Sequence, residues 1–411
     1  MKIQIVSFVF PPQAGIGGRR WTKFSKYFYG QNIDFRVIAA RLQTAVPSQW
    51  LNDISEYEDR ITYIESRYPD ILSEYPDTLM HKLRYRLAIQ KAKFITDGNY
   101  YDKSIYWLGN LENEITKNFE DGYQNLIISG APFHQMELVR LKEKLPGLKV
   151  LLDFRDPWVS NRTAFGFNEM STQRQTYELE LEKTVILSAD AVVSVAQKMA
   201  DYFTMIGANK SVCIPNGFDL QDYTVFEPKK ASEGVLTCVF AGSLYNGLDL
   251  ILKEFIRTVE HLNRNFPNKI NFKFIGTIPN WVKKNTEQID SITVSEHVSK
   301  EAALLAINDS DFGMLFLTED INYSVSSKML DYIALSKPIL CFSKTESITG
   351  KLIEEKGLGY SLNLKTIKDK LMDVINKPYK INQEEMDKLK QQYELETLSM
   401  DWINLINTLK V

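Results

Sequence analysis

The chain has 411 residues, a length that suggests two or three domains. Hydrophobic residues make up 44% and charged residues 25%, as in a globular protein with a large core. The net charge is −3 and no nucleic-acid recognition signature is present, so we expect no nucleic-acid partner.

Strands and helices alternate along the first half of the chain. The strand-like runs, in chain order, are KIQIVSF, DFRVIAA, NLIISG, KVLLDF, AVVSVA and SVCIPNG. Helical patterns separate them, at WTKFSKYFYGQ and at QMELVRLKEKL. This alternation predicts a parallel sheet with helices on both faces.

The same pattern restarts after a polar segment at 221–234. GVLTCVFAG, INFKFIG, DFGMLFL and KPILCF read as strands, and LDLILKEFIRTVEHLNRNF reads as a helix. We therefore predict an α/β protein with two doubly wound Rossmann-like domains, at 1–220 and 235–392. A final helix at 393–411 carries one apolar stripe and is expected to pack back on the first domain. The stripe consists of Leu398, Trp402, Leu405 and Leu409.

The segment VSSKMLDYIALSKPIL at 325–340 predicts a capped helix. Its apolar face is formed by Leu330, Ile333 and Ala334. Ser324 or Ser326 can cap its start, because a hydroxyl accepts a hydrogen bond from the free amides of the first turn. The proline of KPILCF ends the helix and begins the next strand.

The polar residues at the start of this helix suggest a nucleotide site. Free amides and the positive end of the helix dipole attract an anion, and Lys328 adds a full charge. Asp331, one turn further on, would repel a phosphate but can accept two hydrogen bonds from a vicinal diol. The alternative is an ordinary capped helix with a solvated Lys328–Asp331 pair.

Several polar loops follow predicted strands and so lie at the carboxyl edge of a sheet, where open α/β sheets bind ligands. In AGIGGRR, Gly15 and Gly17 fit a dinucleotide-binding pattern, but its third glycine position is Arg20. We therefore reject dinucleotide binding. Gly17 and Gly18 still allow close approach of a ligand, and Arg19 and Arg20 bring cations. The alternative is a glycine turn with solvated arginines.

Two further loops carry candidate catalytic groups. His134 follows a strand in GAPFH and could be a general acid or base, or a structural histidine. RDPW places Arg155 and Asp156 at another strand end, as a substrate contact or as a buried ion pair. The DSD motif at 309–311 precedes a strand, at the wrong edge of the sheet, so we interpret it as a turn and expect no metal site.

The compartment follows from the cysteines and from the lack of long apolar runs. Cys213, Cys238 and Cys341 lie far apart, which favours a reducing compartment and argues against structural zinc. No apolar run reaches the roughly 18 residues of a membrane-spanning helix. We expect that MKIQIVSFVFPP is not a signal peptide, because its apolar run is short and ends in two prolines. We expect a cytoplasmic protein.

Residues 79–94, LMHKLRYRLAIQKAKF, carry five cations and no acid. Met80, Leu83, Leu87 and Phe94 lie on one helical stripe. A basic amphipathic helix of this kind can lie on an anionic membrane surface at the inner face of the cytoplasmic membrane. The alternative is an ordinary surface helix.

Together these motifs resemble the GT-B glycosyltransferases, which have two Rossmann-like domains facing a cleft, and specifically their retaining family 4. The resemblance spans essentially the whole chain and rests on FPPQAGIGGRR, IPNGFDLQDY, FAGSLYNGLDLIL and SSKMLDYIALSKPIL. SGAPFH with LLDFRDPW resembles a subgroup that acts on bacterial envelope polysaccharide.

The resemblance implies a role for each site residue. Ser327 and Lys328 would receive the donor diphosphate, and Asp331 would bind the ribose hydroxyls. His134 matches a position near the reacting centre. Asp156, at the other strand end, is our second candidate catalytic residue. The glycine loop would also contact the donor through Gly17, Gly18 and Arg19.

Three positions depart from the family pattern. Tyr323 stands where a second acid often faces the donor sugar. After the first strand of the second domain, beyond Gly242, the family's usual arginine and lysine are replaced by Ser243 and Asn246. The resemblance then implies that Lys328, with Arg19 or Arg20, supplies the positive charge that the replaced arginine and lysine would bring.

The resulting hypothesis is a retaining glycosyltransferase of hexosyltransferase type. It would move a sugar from a UDP- or GDP-linked donor to a glycan or lipid-linked acceptor in bacterial surface polysaccharide biosynthesis, without a metal or other cofactor. The alternatives are a GT-B nucleotide-sugar epimerase or hydrolase, and a non-catalytic partner that keeps the fold.

Overall fold

A computed structural model describes residues 1–13, 15–41, 48–72, 76–160, 166–223, 234–244, 247–318 and 326–409. The chain forms two compact units. Unit 1 comprises Met1–Pro215 and Ser399–Val411, and unit 2 comprises Asn216–Leu398.

Unit 1 is built on a seven-stranded parallel sheet. Its strands are β1 (Lys2–Ser7), β2 (Asp34–Arg41), β3 (Ile61–Glu65), β4 (Asn125–Gly130), β5 (Lys149–Phe154), β6 (Ala191–Ser194) and β7 (Ser211–Cys213). Their spatial order is β3-β2-β1-β4-β5-β6-β7. The helices of this part of the chain are α1 (Arg19–Gly30), α2 (Leu79–Ile95), α3 (Leu108–Glu120), α4 (Thr172–Ser188) and α5 (Gln197–Ile206).

Unit 2 has the same architecture, built on a six-stranded parallel sheet. Its strands are β8 (Leu236–Ala241), β9 (Ile270–Ile275), β10 (Ile292–Ser295), β11 (Phe312–Leu317), β12 (Ile339–Ser343) and β13 (Gly359–Leu362), in the order β10-β9-β8-β11-β12-β13. Its helices are α6 (Asp249–Asn265), α7 (Asn280–Thr286), α8 (Lys300–Asn308), α9 (Ser327–Ala334), α10 (Ile348–Glu355), α11 (Ile367–Asn376) and α12 (Gln383–Tyr393).

The last helix, α13 (Leu395–Thr408), ends in unit 1. Of the predicted apolar stripe, Leu398, Trp402 and Leu405 are buried and Leu409 is half-buried. The ring of Trp402 packs against Trp21 of α1, with 4.9 Å between the ring centroids. Burying two indoles removes a large apolar area from water, so this contact fastens the end of the chain to unit 1.

One predicted helix has a different form. The QMELVRLKEKL segment is a 3-10 helix over His134–Glu143 rather than an α-helix. Side chains from a preceding loop hold its first turn. Asp102 accepts hydrogen bonds from the amides of Phe133 and His134, and the Ser104 hydroxyl accepts one from the amide of Gln135. Side chains from outside the helix thus accept the hydrogen bonds of the first backbone amides.

The strand order reverses between β1 and β4 in unit 1 and between β8 and β11 in unit 2. Loops that leave the sheet at such a point diverge to opposite faces and leave a crevice at the carboxyl edge. The glycine loop and His134 adjoin the first reversal, and Gly242 and α9 adjoin the second. Among the described residues, no helix is long and apolar enough to cross a membrane.

Candidate functional site

The position of α9 is fixed by its buried face. Ser326 caps the helix by accepting a hydrogen bond from the amide of Met329 at 3.2 Å. The Tyr332 hydroxyl donates to the carbonyl of Met314 in β11 at 2.6 Å. A Cβ atom on Gly313 would lie 2.4 Å from the Tyr332 ring, so only glycine lets the helix pack this closely on β11. The N-terminus of α9 is therefore held beside the strand reversal of unit 2.

Lys328 lies directly against the backbone that follows β8. A Cβ on Gly242 would fall 2.4 Å from Cε of Lys328, and the φ angle of Gly242 is +136°, so both space and conformation require glycine. The Lys328 ammonium lies 5.4 Å from the centroid of the Phe240 ring. Burial lowers the pKa of Lys328, while the nearby Asp331 carboxylate opposes that shift. A cation, the N-terminus of a helix and the half-buried backbone of Gly242 thus meet at one point.

Asp331 lies one turn along α9 and is half-buried. It accepts a hydrogen bond from the hydroxyl of Tyr223 at 2.5 Å. Tyr223 is itself buried, so its ring fixes the direction of the carboxylate. An ionised carboxylate offers about four acceptor positions, which is the chemistry that binding of a diol requires.

The structure gives less information on the other residues of unit 2 that were predicted to bind the donor. Ser243 is half-buried and follows Gly242. Ser327 is the first residue of α9, and the description covers its backbone only. Asn246 and Tyr323 lie outside the described residues. Their roles stay predictions.

The glycine loop of unit 1 is held by an arginine from a neighbouring strand end. Arg155, after β5, donates to the carbonyls of Gly17, Gly130 and Ala131. A Cβ on Gly17 would lie 3.2 Å from this guanidinium, and one on Gly18 would lie 3.3 Å from the carbonyl oxygen of Val9. The two glycines therefore allow close packing within unit 1, and their contact with a donor stays a prediction.

Arg20 has a structural role, which corrects the expectation that it is a solvated or phosphate-binding cation. Its side chain is buried against Asp153 of β5, with Nη2 3.1 Å from the carboxylate. It also donates to the carbonyls of Ile214 and Pro215. Asp153 further accepts hydrogen bonds from the indole of Trp21 and the hydroxyl of Ser129. Arg19, at the start of α1, is only half-buried.

His134 is buried between two carboxylates. Its Nδ1 lies 2.5 Å from Glu137, and its Nε2 lies 3.0 Å from Glu178. Burial alone would lower the pKa of His134, but these two hydrogen bonds and the charges of Asp102 and Glu178 together outweigh it and raise the pKa to about 10. The two carboxylates therefore favour the imidazolium form of the ring, which can stabilise negative charge.

The surroundings of His134 extend this charge network into α4. Arg174 and Glu178 form an ion pair at 2.8 Å on adjacent turns. The indole of Trp158 donates to Glu178 at 3.0 Å and stacks on Phe133 at 5.2 Å between centroids. These contacts favour the structural reading of His134, and its catalytic role stays a prediction.

The aspartates of the RDPW and DSD motifs lie at opposite edges of their sheets. Asp156 is half-buried at the carboxyl end of β5, at the edge where ligands bind. Asp309 and Asp311 precede β11 at the opposite edge, and Asp311 accepts a hydrogen bond from the amide of Thr237 at 2.8 Å. Within the described part of the chain, no group of three or more His, Cys, Asp and Glu side chains could hold a metal ion.

The chain is similar to known proteins in its structure rather than in its sequence. No protein-family model matches the chain, and no curated protein sequence matches it. Solved structures do match over nearly the full length. The lipopolysaccharide outer core galactosyltransferase WaaB is 13% identical, with 99% of each chain covered and a TM-score of 0.62.

Two other solved structures widen the comparison. An E. coli trehalose-6-phosphate protein bound with UDP-2-fluoro glucose is 11% identical, with 100% of this chain and 99% of that chain covered and a TM-score of 0.61. A putative UDP-N-acetylglucosamine 2-epimerase from Listeria monocytogenes is 10% identical, with 99% of this chain and 96% of that chain covered and a TM-score of 0.56. The chain has the GT-B fold. This confirms the predicted fold class.

Two of these contacts were not predicted from the sequence, that of Asp153 with Arg20 and that of Tyr223 with Asp331. Asp153 is a carboxylate within the apolar strand KVLLDF, a position that requires a buried partner, and this signal could have been used. Tyr223 stands in IPNGFDLQDY, but nothing local indicates that its hydroxyl meets Asp331.

Proposed function

We propose that the protein is a cytoplasmic, retaining glycosyltransferase of family 4 and hexosyltransferase type. It transfers a sugar from a UDP- or GDP-linked donor to a glycan or lipid-linked acceptor of bacterial surface polysaccharide. The observation that carries the proposal is the contact of Lys328 with the Gly242 backbone at the start of α9, with Asp331 one turn further on.

In this proposal unit 2 binds the donor. The N-terminus of α9 and the Lys328 ammonium stabilise the diphosphate, whose charge grows as it leaves the sugar. Asp331, oriented by Tyr223, accepts hydrogen bonds from the ribose diol. Unit 1 binds the acceptor, with His134 and Asp156 as the predicted residues of the reacting centre. Because Glu137 and Glu178 raise the pKa of His134, its proposed contribution is electrostatic.

The comparisons support the nucleotide-sugar donor. WaaB is described as a galactosyltransferase, and the E. coli protein is bound with a UDP-linked fluoro sugar. The second candidate is a nucleotide-sugar epimerase or hydrolase, which the likeness to the Listeria monocytogenes protein favours. These enzymes need no acceptor, whereas a transferase does.

The test is a thermal-shift screen of the full chain against UDP- and GDP-linked sugars, followed by turnover assays. A ligand at a hundredfold excess over its Kd stabilises the native state by about 2.7 kcal/mol, which is roughly 5–10 °C in Tm for a unit of this size. We expect one donor class to give this shift and to be consumed rapidly only with an acceptor. Fast donor turnover without acceptor identifies the epimerase or hydrolase. A chain that no nucleotide sugar stabilises is the non-catalytic partner.

Activity should not depend on a divalent metal. Asp309 and Asp311 lie at the wrong edge of the sheet, so we assign the phosphate charge to Lys328 and the α9 amides. Exhaustive chelation with EDTA should leave the transfer rate unchanged within twofold. Loss of activity on chelation, restored by magnesium or manganese and not by calcium, would contradict the metal-free mechanism.

A further inference from the structure

The helix α2 contacts unit 1 through one side only. Of the 17 residues in α2, Ala92 is the one that is fully buried. Residues on the same side are half-buried, and they are His81, Tyr85, Ala88 and Ile89. The opposite side of the helix faces solvent.

That outer side is apolar. Five large side chains on it are strongly exposed: Leu79 by 87%, Met80 by 61%, Leu83 by 55%, Leu87 by 63% and Phe94 by 89%. At about 100° per residue, these five fall within an arc of about 100°. A contiguous apolar surface of this kind on a folded protein marks an interaction site.

Cations border this apolar stripe on both sides. By the same helical geometry Lys82, Arg86 and Lys93 lie along one border, and Arg84 and Lys91 lie along the other. Lys93 also lies 5.2 Å from the Tyr100 ring centroid, and the other four are exposed. No acidic residue occurs between Leu79 and Ile95.

We propose that α2 docks unit 1 on an anionic lipid bilayer, with the helix lying in the plane of the interface. Side chains such as Phe94 and Leu83 enter the boundary between headgroups and acyl chains, and the flanking lysine and arginine side chains reach the lipid phosphates. The positive charge around the stripe distinguishes a lipid bilayer from a second copy of the chain as the partner of α2. A second copy of the chain would bring the same cations against one another, whereas an anionic surface complements them.

This proposal does not rest on the glycosyltransferase proposal, because vesicle binding needs neither donor nor acceptor. Failure of one leaves the other standing. If both hold, α2 brings the enzyme to a bilayer that presents a lipid-linked acceptor.

The test is co-sedimentation of the full chain with phosphatidylglycerol-containing or pure phosphatidylcholine vesicles, at low and high salt. We expect binding to the anionic vesicles at low salt, weakened by high salt because the attraction is screened. Changing the five cations to glutamine should reduce the affinity at least tenfold. Those cations are Lys82, Arg84, Arg86, Lys91 and Lys93. Changing Leu83, Leu87 and Phe94 to serine should reduce it at least tenfold with the charge intact.

A matched control changes five exposed cations of unit 2 to glutamine and should leave most binding intact. They are Arg257, Arg264, Lys269, Lys284 and Lys368. Circular dichroism and Tm confirm that each variant is folded. The proposal is overturned by absence of binding, by equal binding to neutral vesicles, or by binding that survives the changes in α2. It is also overturned if the stripe holds a dimer that the three serine changes dissociate.

Discussion

Replacing Asp153 with alanine should lower the free energy of unfolding of unit 1 by about 3–5 kcal/mol, because it leaves the buried Arg20 guanidinium without its counter-charge. Arg20 has 3% and Asp153 0% of its side chain exposed. The same change removes the acceptor for the Trp21 indole and the Ser129 hydroxyl. Asp153→Asn keeps an acceptor oxygen and should cost less, so it serves if the alanine variant does not fold.

Urea unfolding followed by tryptophan fluorescence can measure this loss. Five of the six tryptophans belong to unit 1, so the signal reports mainly on that unit. The matched control is Glu65→Ala, which removes the Arg41–Glu65 pair at the same edge of the same sheet. Those side chains are 63% and 71% exposed, and an exposed pair is worth about 0–1 kcal/mol. Equal, small losses in both variants would show that the Arg20–Asp153 pair does not stabilise unit 1.

The variant Lys328→Ala should bind nucleoside diphosphate roughly tenfold to a hundredfold more weakly, because a hydrogen bond to a charged group contributes about 1.5–3 kcal/mol. The loss should be the same with or without the sugar, since Lys328 is assigned to the diphosphate. Isothermal titration calorimetry with UDP and GDP measures it. Lys368→Ala is the control, because Lys368 holds the same second position in α11 and is exposed.

A second variant separates the two ends of the nucleotide. Asp331→Asn should weaken binding of UDP or GDP but leave pyrophosphate binding unchanged or stronger, since a carboxylate near the phosphates is lost. Equal weakening for both ligands would assign Asp331 to the structure of α9 alone. Unchanged nucleotide affinity in folded Lys328→Ala would remove Lys328 from the donor site.

The fold could be predicted from the sequence because its signals are local. Around α9, the Ser326 cap, the spacing of Leu330 and Ile333, and the proline before β12 all indicate the same boundaries. The strands β3, β10 and β13 were not predicted, because each lies at the edge of its sheet and polar residues interrupt its apolar run.

The site could be predicted only in part, because its chemistry depends on distant partners. Tyr223 is 108 residues from Asp331 in the chain, and Arg20 is 133 residues from Asp153. A histidine after a strand end is a visible signal. Whether it carries protons or holds a fixed charge depends on the nearby Glu137 and also on Glu178, which is 44 residues away. Local patterns can therefore nominate His134 but cannot assign its protonation state.

The packing of Trp402 on Trp21 has a consequence for how the protein is made. Unit 2 is one continuous segment, whereas unit 1 needs residues from both ends of the sequence. On a ribosome, which emits the chain from its N-terminus at about 5–20 residues per second, every residue of unit 2 has been synthesised before α13 is finished. The domain whose strands are translated first is thus the last to receive its complete core, and until then the apolar surface of α1 that Trp402 covers is exposed to chaperones.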